Sequence, residues 1–415
     1  MKKGKLIGYL VGILVIVVLI FGIVSIARKG SSGEKKEAKK QTTKTVDNSV
    51  KLTNLTVTAP EPAVTRAGEE LQLDIQTEPA KATNKKLKWT INGKSKGIKV
   101  TKDGMLTLAD SYAKQDVTLV ASSTDGSKLT SEVKLKVYPK IDPSKPMVAV
   151  TFDDGPNPST TNKMLDTLEQ NYAKATFFVL GQNAKYYPET VKREYDLGME
   201  VGTHTYSHVV LTNLGQGQLN TEVEKSVDAI VKAIGVKPNL MRPPYGAVNK
   251  SVLKTVGSYD LCCMNWSLDT EDWKYKSADA TYKAAMTAKD GDVILLHDIH
   301  DYNIDAVKRF VPDLIAEGFQ LVTVPELYAA RGETLDPGTV HFRTDPTTEL
   351  SNETTAAQEG DSATASEAST GEETSTTSVD DSSEDTTETS TETSEDTSES
   401  STATTAAFDS TKATN

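Results

Sequence analysis

Two adjacent carboxylates, Asp153 and Asp154, follow a short apolar run and precede Gly155-Pro156. The run at 148–152 is brief and rich in β-branched residues, which predicts a buried strand. Charged groups at the end of a buried strand need a metal, an opposite charge or a cleft, because burying an unpaired charge is costly. The pair is therefore a candidate site, and the alternative is an aspartate that caps the next helix.

Two histidines, His204 and His208, follow a second predicted strand at 199–201, in a chain with only five histidines. On a helical turn, residues four apart present both rings to one side, as metal ligation requires. With Asp154 they supply two nitrogens and one oxygen, the ligand set of a hydrolytic zinc site that keeps one position open for water. The pair alone is weak evidence, because such pairs also occur as surface or core residues.

Three further clusters follow predicted strands later in the chain. Arg242 opens the rigid segment Arg-Pro-Pro-Tyr-Gly, and its guanidinium could hold a carboxylate. The sequence Asp-Thr-Glu-Asp-Trp occupies 269–273, and Leu-Leu-His-Asp occupies 295–298. A carboxylate and a histidine on neighbouring strand ends can form the oriented pair that acid–base catalysis requires.

The elements between these clusters alternate between strands and helices. From 147 to 331 the pattern predicts about seven strands separated by helices, including an amphipathic helix at 219–234 that ends at Gly235. This alternation indicates an α/β fold, either a parallel barrel or an open sheet, in which chemistry gathers at the carboxyl ends of the strands. All of the clusters lie at or just beyond such predicted ends.

Five motifs occur in the order TFDDGP, HTYSH, RPPYG, DTEDW and LLH. In type and order they resemble the signatures of the polysaccharide deacetylases, the NodB-homology domain of carbohydrate esterase family 4. The resemblance covers about residues 147–331. It implies a distorted (β/α) barrel that removes acetyl groups from N-acetylated sugars.

The resemblance also implies a role for each motif residue, beginning with the metal. Asp154, His204 and His208 would bind a divalent ion, with Zn²⁺ expected and Co²⁺ or another divalent ion as alternatives. Asp153 would be the general base that takes the proton of water. Arg242 would orient Asp153 and favour its charged form.

The remaining motif residues would complete the reaction. By the same resemblance, the backbone N–H of Tyr245 would stabilise the oxyanion. His297 would be the general acid that protonates the departing amine, with Asp272 holding its ring. Trp273 and Leu295, together with Tyr245, would bind the substrate and line a small pocket for the acetyl group.

The chain before this region predicts an anchor, a tether and a second domain. Residues 1–29 comprise a basic cytoplasmic end and an apolar stretch at 6–27, long enough for a transmembrane signal-anchor, with cleavage near 25–27 as the alternative. Residues 30–49 predict a flexible tether.

Residues 50–138 alternate in about seven short strands, which predicts a β-sandwich, and they resemble a group 2 bacterial immunoglobulin-like domain. Residues 139–146 contain three prolines and predict a linker.

The charge and cysteine content exclude other classes. Of the 58 acidic residues, 18 follow residue 344, in a Ser/Thr-rich stretch at 344–415 that predicts a disordered acidic tail. The basic residues form no stripe with interleaved aromatics, so no nucleic acid is expected as a partner. The only cysteines are the adjacent Cys262 and Cys263, which exclude a disulfide framework.

Together, these features predict a monomeric, metal-dependent N-deacetylase held at the cell membrane by a single span, with its catalytic body outside. The expected substrate is the N-acetylglucosamine of a peptidoglycan glycan strand, because murein is the abundant N-acetylated glycan at that location. One alternative is another glycan: an exopolysaccharide, a chitooligosaccharide or an O-acetylated polymer. The other is a wall-binding protein without catalytic activity.

Overall fold

A computed structural model of the chain describes residues 49–93, 96–112 and 115–344. The predicted span at 6–27, the predicted tether up to residue 48 and the predicted tail from residue 345 lie outside these residues. Within the described ranges, no helix combines the length and the apolar character needed to cross a membrane.

The first part of the described chain is an all-β unit at residues 54–138. The strands are β1 Asn54–Thr58, β2 Val64–Arg66, β3 Glu70–Gln72, β4 Asp74–Glu78, β5 Leu87–Asn92, β6 Ile98–Val100, β7 Met105–Leu108, β8 Gln115–Ser123 and β9 Thr130–Tyr138. They form sheets with the orders β1-β4, β2-β9-β8-β5 and β3-β7-β6. Alternate residues such as Val117, Leu119 and Ala121 point into a shared core, against which Trp89 packs. The β-sandwich pattern is thus present, while the immunoglobulin-like assignment stays a prediction.

The second part is an α/β unit whose strands all run parallel. The strands are β10 Met147–Asp153, β11 Thr176–Val179, β12 Glu200–Thr203, β13 Leu240–Met241, β14 Cys262–Met264, β15 Leu268–Asp269, β16 Val293–His297, β17 Gln320–Leu321 and β18 Val340–His341. Their order in the sheet is β15-β16-β10-β11-β12-β13-β14-β18, with β17 also paired to β10. The helices are α1 Thr161–Gln170, α2 Gly181–Tyr186, α3 Pro188–Asp196, α4 Gln216–Ile234, α5 Lys250–Ser258, α6 Asp272–Tyr275, α7 Ala278–Ala285, α8 Asp301–Ala316 and α9 Val324–Arg331.

This sheet is a curled, incomplete barrel, since its end strands β15 and β18 do not pair with each other within the described residues. The predicted α/β fold with a distorted barrel is confirmed at this level. Strand β10 lies inside the sheet and is buried along its whole length. Both of its faces are covered, which is why β10 reads as a continuous apolar run. Val148, Val150 and Phe152 share a core cluster with helices α1 and α8, whereas Met147 and Ala149 share another with neighbouring strands and helix α9.

The register of the strands brings the motif residues together. Asp153, the last residue of β10, pairs with His297 of β16 on one side and with Phe178 of β11 on the other. Thr203, the last residue of β12, pairs with Met241 of β13. The carboxyl ends of β10, β12, β13 and β16 therefore meet at one edge of the sheet.

Candidate active site and metal centre

A cavity of about 420 Å³ lies at this edge. Eight of the ten predicted site residues line it, and the other two, Arg242 and Asp272, lie behind it in contact with Asp153 and His297. Trp266 and Asp269 also line the cavity and were not predicted to do so. The lining residues are Asp153, Asp154, His204, His208, Tyr245, Trp266, Asp269, Trp273, Leu295 and His297.

Asp154, His204 and His208 form a cluster suited to a metal ion. Their nearest ligand atoms all lie within 4.8 Å of one another. Asp154 Oδ1 is 3.5 Å from His204 Nε2 and 3.2 Å from His208 Nε2. This oxygen is buried and has no hydrogen-bond partner among the described residues. A buried carboxylate oxygen that faces two imidazole nitrogens fits a divalent cation.

His204 is held in the form that a metal ligand requires. Its Nδ1 lies 2.6 Å from the carbonyl oxygen of Arg242, so Nδ1–H donates to that carbonyl and Nε2 keeps its lone pair. Burial lowers the pKa of His204 to about 3. The ring is therefore neutral at neutral pH.

The segment between the two histidines is a loop, so the predicted helical turn is wrong. Thr205 has φ 70° and His208 has φ 59°, which places both in the left-handed region. The backbone N–H of His208 donates to Thr205 Oγ1 at 3.0 Å. The loop still brings both rings to Asp154, and the ring centroids lie 5.0 Å apart.

Asp153 is bound through Oδ1 to a buried arginine, while its Oδ2 lies 3.8 Å from His204 Nε2. A single nitrogen of Arg242 donates both to Asp153 Oδ1 at 2.8 Å and to Thr151 Oγ1 at 2.6 Å. The rest of the guanidinium donates to the carbonyl oxygens of Met264 and Asn265. Burial raises the pKa of Asp153, and the charge of Arg242 opposes that rise. Asp153 is thus a carboxylate whose pKa is moved towards the range of a general base.

His297 forms a pair with Asp272. Its Nδ1 lies 2.9 Å from Asp272 Oδ1, and its backbone N–H donates to Asp272 Oδ2 at 3.0 Å. Burial would lower the pKa of His297, but the hydrogen bond and charge of Asp272, with the charges of Asp153 and Asp154, raise it to about 9. His297 therefore carries a proton at neutral pH, and its Nε2 lies 4.0 Å from Asp154 Oδ2.

The walls of the cavity combine a buried leucine with exposed aromatics. Leu295 is buried, whereas Trp273 is 50% exposed and Tyr245 is 68% exposed. Tyr245 follows Pro243-Pro244, has φ 61°, and its ring lies 5.0 Å from that of His208. These side chains give the cleft an apolar interior and an aromatic rim.

Two supporting residues, Asn303 and Glu222, have no signal in the sequence, whereas a third, Asp298, lies in the Leu-Leu-His-Asp motif. Asn303, in the first turn of α8, donates through Nδ2 to Asp272 Oδ2 and to the carbonyl oxygen of His297. Glu222 of α4 accepts from the loop between the histidines. Asp298 accepts from Thr161, and burial raises its pKa to about 7. Asn303 and Glu222 lie in no pattern that separates them from ordinary polar residues, so only the fold reveals them.

A parallel α/β sheet that ends in an Asp-His-His cluster, a separate carboxylate and a His–Asp pair carries the residue types that metal-dependent hydrolysis requires. A family model described as polysaccharide deacetylase matches residues 140–263. A peptidoglycan-N-acetylglucosamine deacetylase of Bacillus cereus is 36% identical over 195 residues, which cover 46% of this chain and 71% of the relative. The chain belongs to the polysaccharide deacetylase family.

Two further relatives are longer proteins. Peptidoglycan-N-acetylglucosamine deacetylase PgdA of Listeria monocytogenes is 41% identical over 224 residues, covering 54% of this chain and 47% of the relative. Peptidoglycan-N-acetylmuramic acid deacetylase PdaC of Bacillus subtilis is 42% identical over 188 residues, covering 45% and 40%. The chain therefore spans about half the length of these two relatives, or less.

Proposed function

We propose that the protein hydrolyses the N-acetyl group of N-acetylglucosamine residues in peptidoglycan and releases acetate. The observation that carries this proposal is that two adjacent carboxylates have different partners. Asp154 faces the two histidines, whereas Asp153 accepts a hydrogen bond from Arg242. One carboxylate is thereby available as a metal ligand and the other as a base. His297, which pairs with Asp153 in the register of the sheet and also lines the cavity, would be the acid.

The chain's own residues account for the proton movements. A bound divalent ion supplies Lewis acidity, which polarises the acetamide carbonyl and lowers the pKa of water. Asp153 takes the proton of the attacking water at Oδ2, since Oδ1 is occupied by Arg242. His297 gives its Nε2 proton to the amide nitrogen as the C–N bond breaks, and Asp272 stabilises the charged ring. The products are acetate and a free amine.

The cleft walls suit the acetyl group. Leu295 and Trp273 present apolar surface beside His297, which accommodates a methyl group and excludes water from the reacting centre. We further propose that the backbone N–H of Tyr245 donates to the oxyanion, supported by the position of Tyr245 on the cavity wall.

Zinc is the proposed ion, supported by the two imidazoles and single carboxylate of the cluster, with Co²⁺ as the alternative. The proposed location is the outer face of the cell membrane, with residues 6–27 as a single-pass anchor and the body as a monomer. Support for the location comes from the apolar stretch in the sequence. The outward position would bring the cleft to the glycan strand.

A second substrate has specific support. The 42% identical relative from Bacillus subtilis is named for N-acetylmuramic acid, whereas those from Listeria and Bacillus cereus are named for N-acetylglucosamine. N-acetylmuramic acid is therefore the second candidate sugar in the same polymer. An exopolysaccharide or chitooligosaccharide is the further alternative.

The test measures acetate release by the full-length protein from purified peptidoglycan and from chitooligosaccharide, after chelation and after zinc is restored. Mass spectrometry of the digested peptidoglycan then identifies the deacetylated sugar. Zinc-dependent loss of acetyl groups from glucosamine is expected. Loss from muramic acid supports the second substrate, and release only from the oligosaccharide moves the substrate away from the wall. The absence of acetate release from both substrates favours either another acetylated glycan or a wall-binding protein without catalytic activity.

A further inference from the structure

Glu222 binds the loop that joins the two histidines of the metal cluster. It lies in the second turn of α4, and its Oε2 accepts from the backbone N–H of Tyr206 at 3.1 Å and of Ser207 at 2.9 Å. Its Oε1 accepts from Ser207 Oγ at 2.8 Å. One carboxylate therefore receives three hydrogen bonds from two consecutive loop residues.

The loop needs such support because its backbone is unfavourable. Thr205 and His208, on either side of the bound residues, both have left-handed φ angles. This conformation costs a residue other than glycine about 1–2 kcal/mol. Hydrogen bonds to an ionised acceptor are stronger than neutral ones. Three of them at the middle of the loop can stabilise a conformation that the local sequence does not favour.

The two histidines differ in how they are held. His204 is buried, and its Nδ1 is fixed by the carbonyl oxygen of Arg242. The side chain of His208 is 29% exposed, and its ring contacts Asp154 and Tyr245 in the described part of the chain. The position of His208 therefore depends more strongly on the backbone that carries it, which Glu222 holds.

We infer that Glu222 is a positioning residue that keeps His208 beside His204 and Asp154, ready to bind the metal. It does not line the cavity, and its three hydrogen bonds go to Tyr206 and Ser207 of the loop, so its effect passes through the loop. The inference rests on the proposed metal site. Loss of the carboxylate releases one ligand of three and weakens metal binding while the sheet keeps its core.

The test uses full-length Glu222→Ala and Glu222→Gln, with Glu224→Ala as the control. Glu224 is an exposed glutamate on the same helix, so it matches the change in charge and helix content. Gln keeps one acceptor oxygen for the two amides, and the Ser207 hydroxyl can turn to accept from its NH₂ group. A partial rescue by Gln is therefore expected.

Zinc affinity is measured by competition with a chromophoric chelator, and the visible spectrum of the Co²⁺-loaded protein reports the ligand geometry. Glu222→Ala is expected to bind zinc about 10–100-fold more weakly than wild type and to change the cobalt spectrum, whereas Glu224→Ala matches wild type. Glu222→Gln is expected between the two.

Three outcomes overturn the inference, and they separate it from the proposed function. Wild-type zinc affinity and an unchanged cobalt spectrum in Glu222→Ala would show that the loop keeps its conformation without Glu222. A lower unfolding temperature of the metal-free variant with unchanged zinc affinity shows a structural role only. A wild-type protein that binds no zinc overturns the metal site and the inference together.

Discussion

Asp153 and Asp154 are adjacent in the chain, yet the fold gives them different surroundings. The left-handed φ of 74° at Asp154 turns its side chain towards the histidines, while Asp153 ends its strand against Arg242. Both residues are aspartates, and their different surroundings suit them to different chemical roles. This separation can be tested one carboxylate at a time.

Asp153→Asn is expected to lower acetate release by about 10²–10⁴-fold, because an amide cannot take the proton of water. Zinc content, measured by elemental analysis after dialysis, is expected to stay at the wild-type level. Asp154→Asn serves as the matched variant and is expected to lose zinc. Loss of zinc from Asp153→Asn instead would show that the two roles are reversed.

The pH dependence of acetate release follows from His297 and Asp153. The pKa of His297 is raised to about 9, so the general acid is protonated below that pH and activity falls as the pH rises through it. A cation bound at Asp154 offsets part of the negative charge that helps to raise the pKa of His297. The loss of activity is therefore expected at or somewhat below pH 9. The raised pKa of Asp153 sets an acid limb on which activity falls as the pH decreases.

Asp272→Asn removes the charge that raises the pKa of His297. The alkaline limb of kcat/KM is therefore expected to move to lower pH, while the acid limb from Asp153 stays in place. The control is Asp301→Asn, which changes a carboxylate at the start of α8 whose side chain is exposed. An alkaline limb that does not move in Asp272→Asn would assign it to a group other than His297.

At the scale of elements, the sequence predicts long periodic segments well and short ones poorly. Helix α4 repeats its apolar face over five turns and ends at Gly235, whose φ of 75° suits glycine. Strands β15 and β18 have two residues each, too few to show a period, and were not predicted. The histidine loop was misread because a spacing of four fits a helical turn and also fits a loop with two left-handed residues.

Gly155, in the turn between β10 and α1, allows a close approach of Asp298. A Cβ at this position would lie 2.2 Å from Asp298 Oδ2. Gly155→Ala is therefore expected to lower the free energy of unfolding by about 1–3 kcal/mol, measured by chemical denaturation. The turn follows Asp154 directly, so weaker zinc binding is expected as well.

Gly217→Ala is the matched control for this substitution. Gly217 lies in the first turn of α4, and a Cβ there meets no atom within 4 Å. The alanine is expected to leave stability unchanged or to raise it by up to about 1 kcal/mol. Equal destabilisation by both substitutions would mean that the contact with Asp298 is not the cause.

At the scale of the whole molecule, the all-β unit packs directly on the α/β unit. Arg66 of β2 donates to both carboxylate oxygens of Glu326 in α9, at 2.9 and 2.7 Å, and Lys174 donates to the same carboxylate at 3.0 Å. Tyr138 donates to the carbonyl oxygen of Leu197 at 2.5 Å. Burial would raise the pKa of Glu326, but Lys174 and Arg66 lower it to about 2.

Arg66→Met is expected to reduce the free energy of unfolding by about 3 kcal/mol, because it leaves a largely buried carboxylate with one cation in place of two. The matched control is Lys134→Met, whose ion pair with Glu132 is exposed and contributes less than about 1 kcal/mol. Chemical denaturation of both variants gives the comparison. An equal free energy of unfolding for Arg66→Met and Lys134→Met would show that the contact between the two units contributes little to stability.

This interface could not be read from the sequence. Periodicity separates residues 50–138 from residues 147–331 as two domains, and the prolines between them predict a linker. The pairing of Arg66 with Glu326 joins residues 260 positions apart, and no local pattern encodes it. Patterns that repeat within an element are visible in one sequence, whereas contacts between elements depend on the folded geometry.

The left-handed backbone conformations in the cleft lower the thermal stability of the protein, yet they occur at residues that the proposed activity requires. Asp154, Thr205, His208 and Tyr245 all hold positive φ angles that glycine adopts at lower steric cost. Variants selected for survival of heating alone are therefore expected to accumulate such substitutions at two of the three metal ligands. The most heat-tolerant of these variants are expected to be the ones that no longer bind the metal or release acetate.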